Sequence, residues 1–248
     1  MQNRVPLVTL DFWLIKLMAV TMGETAADYL AVNLGFGLTN TSLIMTAILA
    51  GALVLQFAQK RYVPWAYWLA VVLISIVGTL VTDNLVDNFG VPLTVTTALF
   101  TGLLALTFWI WYRSEGTLSI HKIFTAKREA FYWLAILMTF ALGTSAGDLI
   151  AEQFGLGYLG TGILFGMIIA SLTFGYFLLG LDAVIAFWLA YIFTRPFGAS
   201  FGDFLSQAKA YGGLGFGTVI TSVIFLVAII AIVIFMTLTS RGREEIRA

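Results

Sequence analysis

The sequence contains no cysteine, a single histidine and only four prolines among its 248 residues. The lack of cysteine excludes disulfides, thiolate metal sites and cysteine catalysis, and it leaves the redox compartment open. Charged residues make up only 10% of the chain, against roughly 25% in soluble domains. The formal net charge is zero, so composition favours neither a nucleic-acid partner nor a highly charged surface.

Apolar side chains are abundant instead and account for 60% of the residues. Eight apolar runs are long enough to cross roughly 30 Å of hydrocarbon as helices. We therefore predict an all-α, polytopic membrane helix bundle that forms one membrane domain over residues 1–248, surrounded by the lipid bilayer. The predicted spans are residues 10–33, 39–58, 65–88, 92–112, 130–153, 158–179, 183–207 and 214–239.

An internal repeat organises these spans. In each of four copies an aromatic residue and a tryptophan are followed, after nine residues, by a glycine and, after four more, by an aspartate. The copies contain Trp13, Gly23 and Asp28; Trp68, Gly78 and Asp83; Trp133, Gly143 and Asp148; and Trp188, Gly198 and Asp203. Successive aspartates are 55, 65 and 55 residues apart, which predicts repeats at about 8–62, 63–117, 128–180 and 181–240.

Two spans per repeat make successive repeats enter the membrane in the same direction, around an axis along the membrane normal. We expect pseudo-fourfold, or two-plus-two, symmetry with the four odd-numbered spans around that axis. Basic residues precede the first span and follow the second, fourth and eighth, which predicts cytoplasmic termini, a cytoplasmic loop at 113–128 and a cytoplasmic tail at 241–248. The junction at 178–183 has no basic residue and is the weakest point of this topology.

The repeat aspartates are the strongest candidates for chemistry, because ionisable residues inside spans usually face a bundle interior or a water-filled cavity. Each has a polar companion four residues away, on the same helix face. The companions are Glu24, Asp87, Glu152 and Gln207, with neutral oxygens nearby on Thr25, Thr79, Thr144, Ser145, Asn33, Asn84, Asn88 and Gln153. Such a set suits Mn²⁺, Mg²⁺, Ca²⁺ or an alkali ion better than Cu⁺ or Zn²⁺, and we predict no cofactor beyond a bound divalent cation.

Structural explanations exist for the same residues. The repeat glycines permit close helix packing or kinks, and an aspartate near a helix end can bond to the backbone. The four repeat tryptophans suit interface anchors, and Lys16 is expected to extend its ammonium to the cytoplasmic interface. Arg195 lies deeper, where it could neutralise a carboxylate, hold an anion or substitute for a cation. His121 has no partner visible in the sequence.

The segments MGETAADYLAVNLG, VGTLVTDNLVDNFG, LGTSAGDLIAEQFGLGY and TRPFGASFGDFLSQ resemble the bacterial four-repeat "membrane-anchored protein" family. Its repeats are units of unknown function, each with two transmembrane segments and a characteristic tryptophan. The resemblance covers nearly the whole chain. It implies eight spans and a location in the bacterial inner membrane, and it supplies no substrate.

From the residues we expect a secondary transporter of a small cation, most suitably a hard divalent metal, with the four aspartates as its central site and Glu24, Asp87 and Glu152 as further ligands or proton carriers. The alternative is a scaffold or accessory subunit whose polar residues fasten helices together. An uncoupled channel is a further alternative. An enzyme is not predicted, since no nucleophile with a base, Walker loop or HExxH motif is present. The sequence predicts no oligomeric state.

Overall fold

Eight long α-helices dominate the computed structural model of the protein, which describes residues 3–245 and the side chains of residues 3–239. No β-strand occurs in this described part of the chain. The helices are α1 (Leu10–Asp28), α2 (Leu38–Phe57), α3 (Pro64–Asp83), α4 (Leu93–Glu115), α5 (Ala126–Asp148), α6 (Gly157–Leu178), α7 (Ala183–Ser206) and α8 (Thr218–Glu245).

Local sequence explains where several helices begin and end. The side chains of Thr9 and Thr125 accept a hydrogen bond from the first turn of α1 and α5, as N-cap residues do. Pro64 occupies the first turn of α3, where a backbone N–H has no partner within the helix, so proline costs no hydrogen bond there. Gly116 ends α4 in the left-handed conformation with φ of 69°, which residues with a Cβ rarely adopt.

Four helices form an inner ring and four lie outside it. The inner helices, α1, α3, α5 and α7, each pack against the next, and α7 also packs against α1. The outer helices each pack on the inner helix of the following repeat: α2 on α3, α4 on α5, α6 on α7, and α8 on α1. The inner helices are largely buried, whereas the outer helices leave most of their apolar surface exposed.

Seven of the helices are long and apolar enough to cross a membrane, which indicates a membrane protein. Helix α1 is the exception among the eight, because Lys16, Glu24 and Asp28 lie within its length. The prediction of an all-α bundle is confirmed.

The helix boundaries lie within five residues of the predicted spans, except at the end of α8. Helix α8 continues to Glu245, so residues 241–245 of the predicted tail extend the helix. Arg247, with the rest of residues 246–248, lies outside the described residues. At the N-terminal end, the Arg4 N–H bonds to the Ile123 carbonyl and the Tyr62 N–H to the Asn3 carbonyl. The first residues therefore lie with the loops that follow α2 and α4.

Candidate cation site

A cavity of about 160 Å³ lies where the C-terminal ends of the inner helices meet. All four repeat aspartates line it, together with the other three predicted carboxylates and Gln207. The full lining is Glu24, Asp28, Val86, Asp83, Asp87, Leu93, Asp148, Glu152, Tyr158, Asp203 and Gln207. The structure therefore brings together eight of the nine predicted binding residues, and Arg195 is the one that is not part of the cavity wall.

The repeat aspartates are positioned by a change in helix geometry. Asp28, Asp83 and Asp148 are each the last residue of their α-helix, and a five-residue π-helical turn follows immediately. The turns are Tyr29–Asn33, Asn84–Asn88 and Leu149–Gln153. Such π-helical turns occur frequently at functional sites. The fourth repeat departs from this pattern, because α7 ends at Ser206 and Gln207 has an extended backbone.

The carboxylates of the cavity differ in exposure. Asp28, Asp83 and Asp148 are half-buried, whereas Asp87 and Glu152 are exposed at its mouth. Asp203 is 7% exposed and, among the described side chains, receives no hydrogen bond from a protein donor. Asp28 accepts one weak hydrogen bond, from Gln207 Nε2 at 3.4 Å. The cavity wall is thus rich in acceptors and poor in donors.

A buried polar cluster lies just inside the cavity and joins all four inner helices. Arg195 of α7 has no exposed surface, and its Nη2 lies 2.7 Å from Glu24 Oε2 of α1. The same nitrogen donates to Thr144 Oγ1 of α5 at 2.7 Å and to Thr79 Oγ1 of α3. Thr79 in turn donates to Glu24 Oε2 at 3.0 Å. Arg195 Nε and Nη1 are buried without a hydrogen-bond acceptor among the described residues.

Lys16 lies deeper still, and the expectation that it reaches the interface is wrong. Its side chain is fully buried. The ammonium donates to the Tyr191 carbonyl at 2.9 Å and to Thr194 Oγ1, and it lies 4.0 Å from the centre of the Tyr191 ring. The ring of Phe140 separates it from Arg195, at 5.6 Å from Lys16 Nζ and 5.4 Å from Arg195 Cζ.

Aromatic side chains fill the interior beyond Lys16, at the end of the bundle away from the cavity. Tyr67 and Tyr132 are fully buried there, with their hydroxyls 2.5 Å apart. Trp68, Trp133 and Trp188 are also buried, and only Trp13 is half-buried. Three of the predicted interface anchors therefore pack against protein, and their depth in a bilayer stays a prediction.

The four repeat glycines each lie against the next inner helix, too close to accommodate a Cβ. A Cβ at Gly78 would be 2.7 Å from Phe140 Cβ, and one at Gly198 would be 2.6 Å from Val20 Cγ1. In every copy the neighbour stands three residues before the glycine of the next repeat. The four neighbours are Ser75 for Gly23, Phe140 for Gly78, Arg195 for Gly143 and Val20 for Gly198.

The neutral oxygen donors expected at the site do not line the cavity as the structure describes it. Asn84 and Asn88 bond instead to Ser42 and Thr39 of α2, and Thr25 Oγ1 lies 2.7 Å from Ser222 Oγ of α8. Asn84, Asn88 and Thr25 point outward because residues on the π-helical turns and helix flanks meet the outer helices, whereas Thr79 and Thr144 belong to the buried cluster around Arg195.

The structure adds three residues to the site that the sequence did not single out. Leu93 and Tyr158, each near the start of an outer helix, lie over the cavity, and Val86 completes the wall. Tyr158 holds the equivalent place in α6 that Leu93 holds one repeat earlier, but the repeat motif covers only the inner helices. Within residues 3–239, no three carboxylates converge closely enough to coordinate a bare metal ion together.

Comparison with known proteins identifies a family whose function is unknown. The family model described as "Repeat of Unknown Function (DUF347)" matches residues 12–62, 66–117, 131–180 and 186–242, four ranges that overlap the repeats predicted at 8–62, 63–117, 128–180 and 181–240. No curated protein and no solved structure matches the chain. Because the four matches together cover most of the sequence, the chain belongs to this repeat family of unknown function.

Proposed function

We propose that this protein is a secondary transporter of a small cation, most suitably a hard divalent metal such as Mn²⁺ or Mg²⁺. The observation that carries the proposal is the convergence of seven carboxylates from four helices on one cavity. Oxygen ligands of this kind suit hard cations. Because carboxylates bind metal only when deprotonated, protons compete with the metal for the same groups, and this competition would couple the two.

The proposed topology is eight transmembrane helices in four parallel repeats with pseudo-fourfold symmetry, in the bacterial inner membrane, with both termini cytoplasmic. Two cyclic patterns support the symmetry. Each outer helix packs on the inner helix of the following repeat, with α8 on α1, and each repeat glycine meets the residue three positions before the next one.

Side chains fill the inner ring at the end away from the cavity, and this filling supports a transporter over an open channel. A cation that enters at the exposed mouth, near Asp87 and Glu152, meets first the Arg195 guanidinium and then the Lys16 ammonium. Beyond these lies the aromatic layer with the paired tyrosines. The Arg195 guanidinium is paired with Glu24 and the Lys16 side chain is fully buried, so these two side chains obstruct the axis and passage requires the inner helices to rearrange, as in alternating access.

The test is cation uptake into proteoliposomes that hold a metal-sensitive dye, with and without an imposed pH gradient. We expect Mn²⁺ or Mg²⁺ uptake that depends on the gradient and is lost in Asp148→Asn. Asp182→Asn is the matched control, because Asp182 caps α7 away from the cavity and asparagine caps equally well. Uptake equal to that of empty liposomes for every cation, or unchanged uptake in Asp148→Asn, would refute the proposal.

The second candidate is a scaffold or accessory subunit, and one observation favours it. Arg195, Glu24, Thr79 and Thr144 supply one polar side chain from each inner helix to a single buried cluster, as interhelical fasteners do. Under this alternative, Asp148→Asn changes thermal stability only, and no cation stabilises the purified protein.

A further inference from the structure

The inference concerns the form in which the cation binds, and it rests on the proposed function. Every inner helix supplies at least one carboxylate to the cavity, so the acidic groups stand on all sides of the space. The volume is about 160 Å³, and a water molecule occupies roughly 30 Å³ of liquid. The space is therefore large enough for several water molecules and is much more than a bare ion fills.

The hydrogen-bonding groups of the cavity wall also favour a ligand larger than a bare ion. The seven carboxylates are acceptors only when they are ionised, as they must be to hold a cation, and the other side chains of the wall that can donate are those of Tyr158 and Gln207. The Gln207 amide is directed at Asp28. A ligand that fits this wall must therefore present donors outward in every direction, as the water shell of a cation does.

Asp203 provides an independent observation. The residue is 7% exposed, its side chain lines the cavity, and its carboxylate receives no hydrogen bond from a donor among the described residues. Burial of an ionised group without hydrogen-bond partners is strongly unfavourable, and most buried polar groups have a partner from protein or ordered water. A donor from within the cavity would satisfy it.

We propose that the cavity binds a strongly hydrated cation of the Mg²⁺ class with most of its water shell retained, held through water-mediated hydrogen bonds to the surrounding carboxylates. Mg²⁺ loses water reluctantly and usually keeps several waters beside one or two carboxylate ligands. Water-mediated contacts are enthalpically almost as favourable as direct ones. Selectivity then depends on the size of the hydrated ion rather than on a ring of direct ligands.

Cobalt(III) hexammine tests this directly, because its six ammonia ligands do not exchange and it resembles a hydrated Mg²⁺ ion. Thermal unfolding of the full-length protein in detergent would be measured with MgCl₂, MnCl₂ and CaCl₂, each with and without the complex. We expect the melting temperature to rise with Mg²⁺ and with hexammine alone, in proportion to the logarithm of the concentration once it exceeds the dissociation constant. In the presence of hexammine at ten times its own dissociation constant, the Mg²⁺ concentration that gives a set further rise should be about elevenfold higher, as competition for one site requires.

Two controls distinguish binding that depends on the size of the cation from attraction by its charge alone. Tris(ethylenediamine)cobalt(III) has the same charge but is larger, so it should neither stabilise the protein nor compete. Asp203→Asn should abolish the shifts with Mg²⁺ and hexammine, and Asp182→Asn should retain them. If Asp203→Asn does not fold, Asp148→Asn serves in its place, because Asp148 also lines the cavity.

The remaining outcomes distinguish this inference from the proposed function. If Mg²⁺ or Mn²⁺ stabilises the protein and neither complex competes, the cation binds directly to protein oxygens and the hydrated form is refuted, while cation binding stands. Equal competition by both complexes would show attraction by charge alone and would also refute it. If no cation shifts the melting temperature, both the inference and the proposed transport site fail.

Discussion

Gly143 of α5 lies directly against the side chain of Arg195 of α7, and a Cβ at position 143 would overlap Arg195 Cγ and Cβ. The close approach lets the arginine stem pass between the two helices and bring its guanidinium to Glu24. The glycine therefore determines both the spacing of α5 and α7 and the position of the buried positive charge.

Gly143→Ala should destabilise the protein by about 1–3 kcal/mol, the usual effect of overpacking a well-packed interior. Gly51→Ala is the matched control, because Gly51 lies within α2 and a Cβ there would meet nothing within 4 Å. Alanine at an open helical position should be neutral or slightly stabilising. Thermal unfolding of both variants in the same detergent makes the comparison, and equal melting temperatures would contradict the packing described.

Arg195→Met and Glu24→Gln should each destabilise the protein strongly, by about 3–5 kcal/mol, because each leaves a buried charge without its partner. The double variant removes both charges together and should lose much less stability than the sum of the single variants. A double-mutant cycle by denaturant or thermal unfolding measures this coupling. Additive losses would mean that the 2.7 Å ion pair contributes no interaction energy.

Tyr132→Phe should lower the free energy of unfolding by about 1–3 kcal/mol, because it leaves the Tyr67 hydroxyl buried without its partner. The Tyr67→Phe/Tyr132→Phe double variant removes both hydroxyls and should be closer to the wild type than either single variant. Both side chains are fully buried, so water cannot replace the lost bond without a rearrangement. A double variant less stable than both singles would contradict this account.

Lys16 should resist acylation by an amine-reactive ester in the folded protein, because its side chain has no exposed surface. Lys60, which is exposed after α2, is the internal control and should react readily. Mass spectrometry of peptides after labelling measures both sites in one sample, and denaturation before labelling should make Lys16 react as Lys60 does. Equal modification of Lys16 and Lys60 in the folded state would contradict the burial of Lys16.

The helices and the grouping of the aspartates around one cavity could be predicted from the sequence because both depend on spacing, whereas cation binding there stays a prediction. Eight apolar runs give eight helices, and an aspartate five positions after each repeat glycine brings the four carboxylates to one cavity. The burial of Lys16 differs from the prediction because its position three residues after Trp13 indicates a depth near the interface. Lys16 stands seven residues before Gly23, two helical turns away on the same inward face, and this spacing was the available signal.

Other features had no sequence signal of that kind. The π-helical turns after Asp28, Asp83 and Asp148 depend on how the chain leaves the inner ring to reach the outer helix. Tyr158 and Leu93 enter the cavity wall because outer helices begin beside it, a tertiary arrangement that lies outside the repeated motif. The outward direction of Asn84 depends likewise on its contact with Ser42 of the neighbouring helix.

The packing of α8 against α1 has a consequence for biosynthesis. Helix α1 is covered by a helix that is synthesised long after it, and the contact includes the hydroxyls of Thr25 and Ser222. Until α8 has been made, α1 has no outer neighbour and Thr25 is uncovered on that side. The ring therefore cannot close while the seven preceding helices are being made, and a chain truncated before Thr218 would leave this polar position of α1 uncovered.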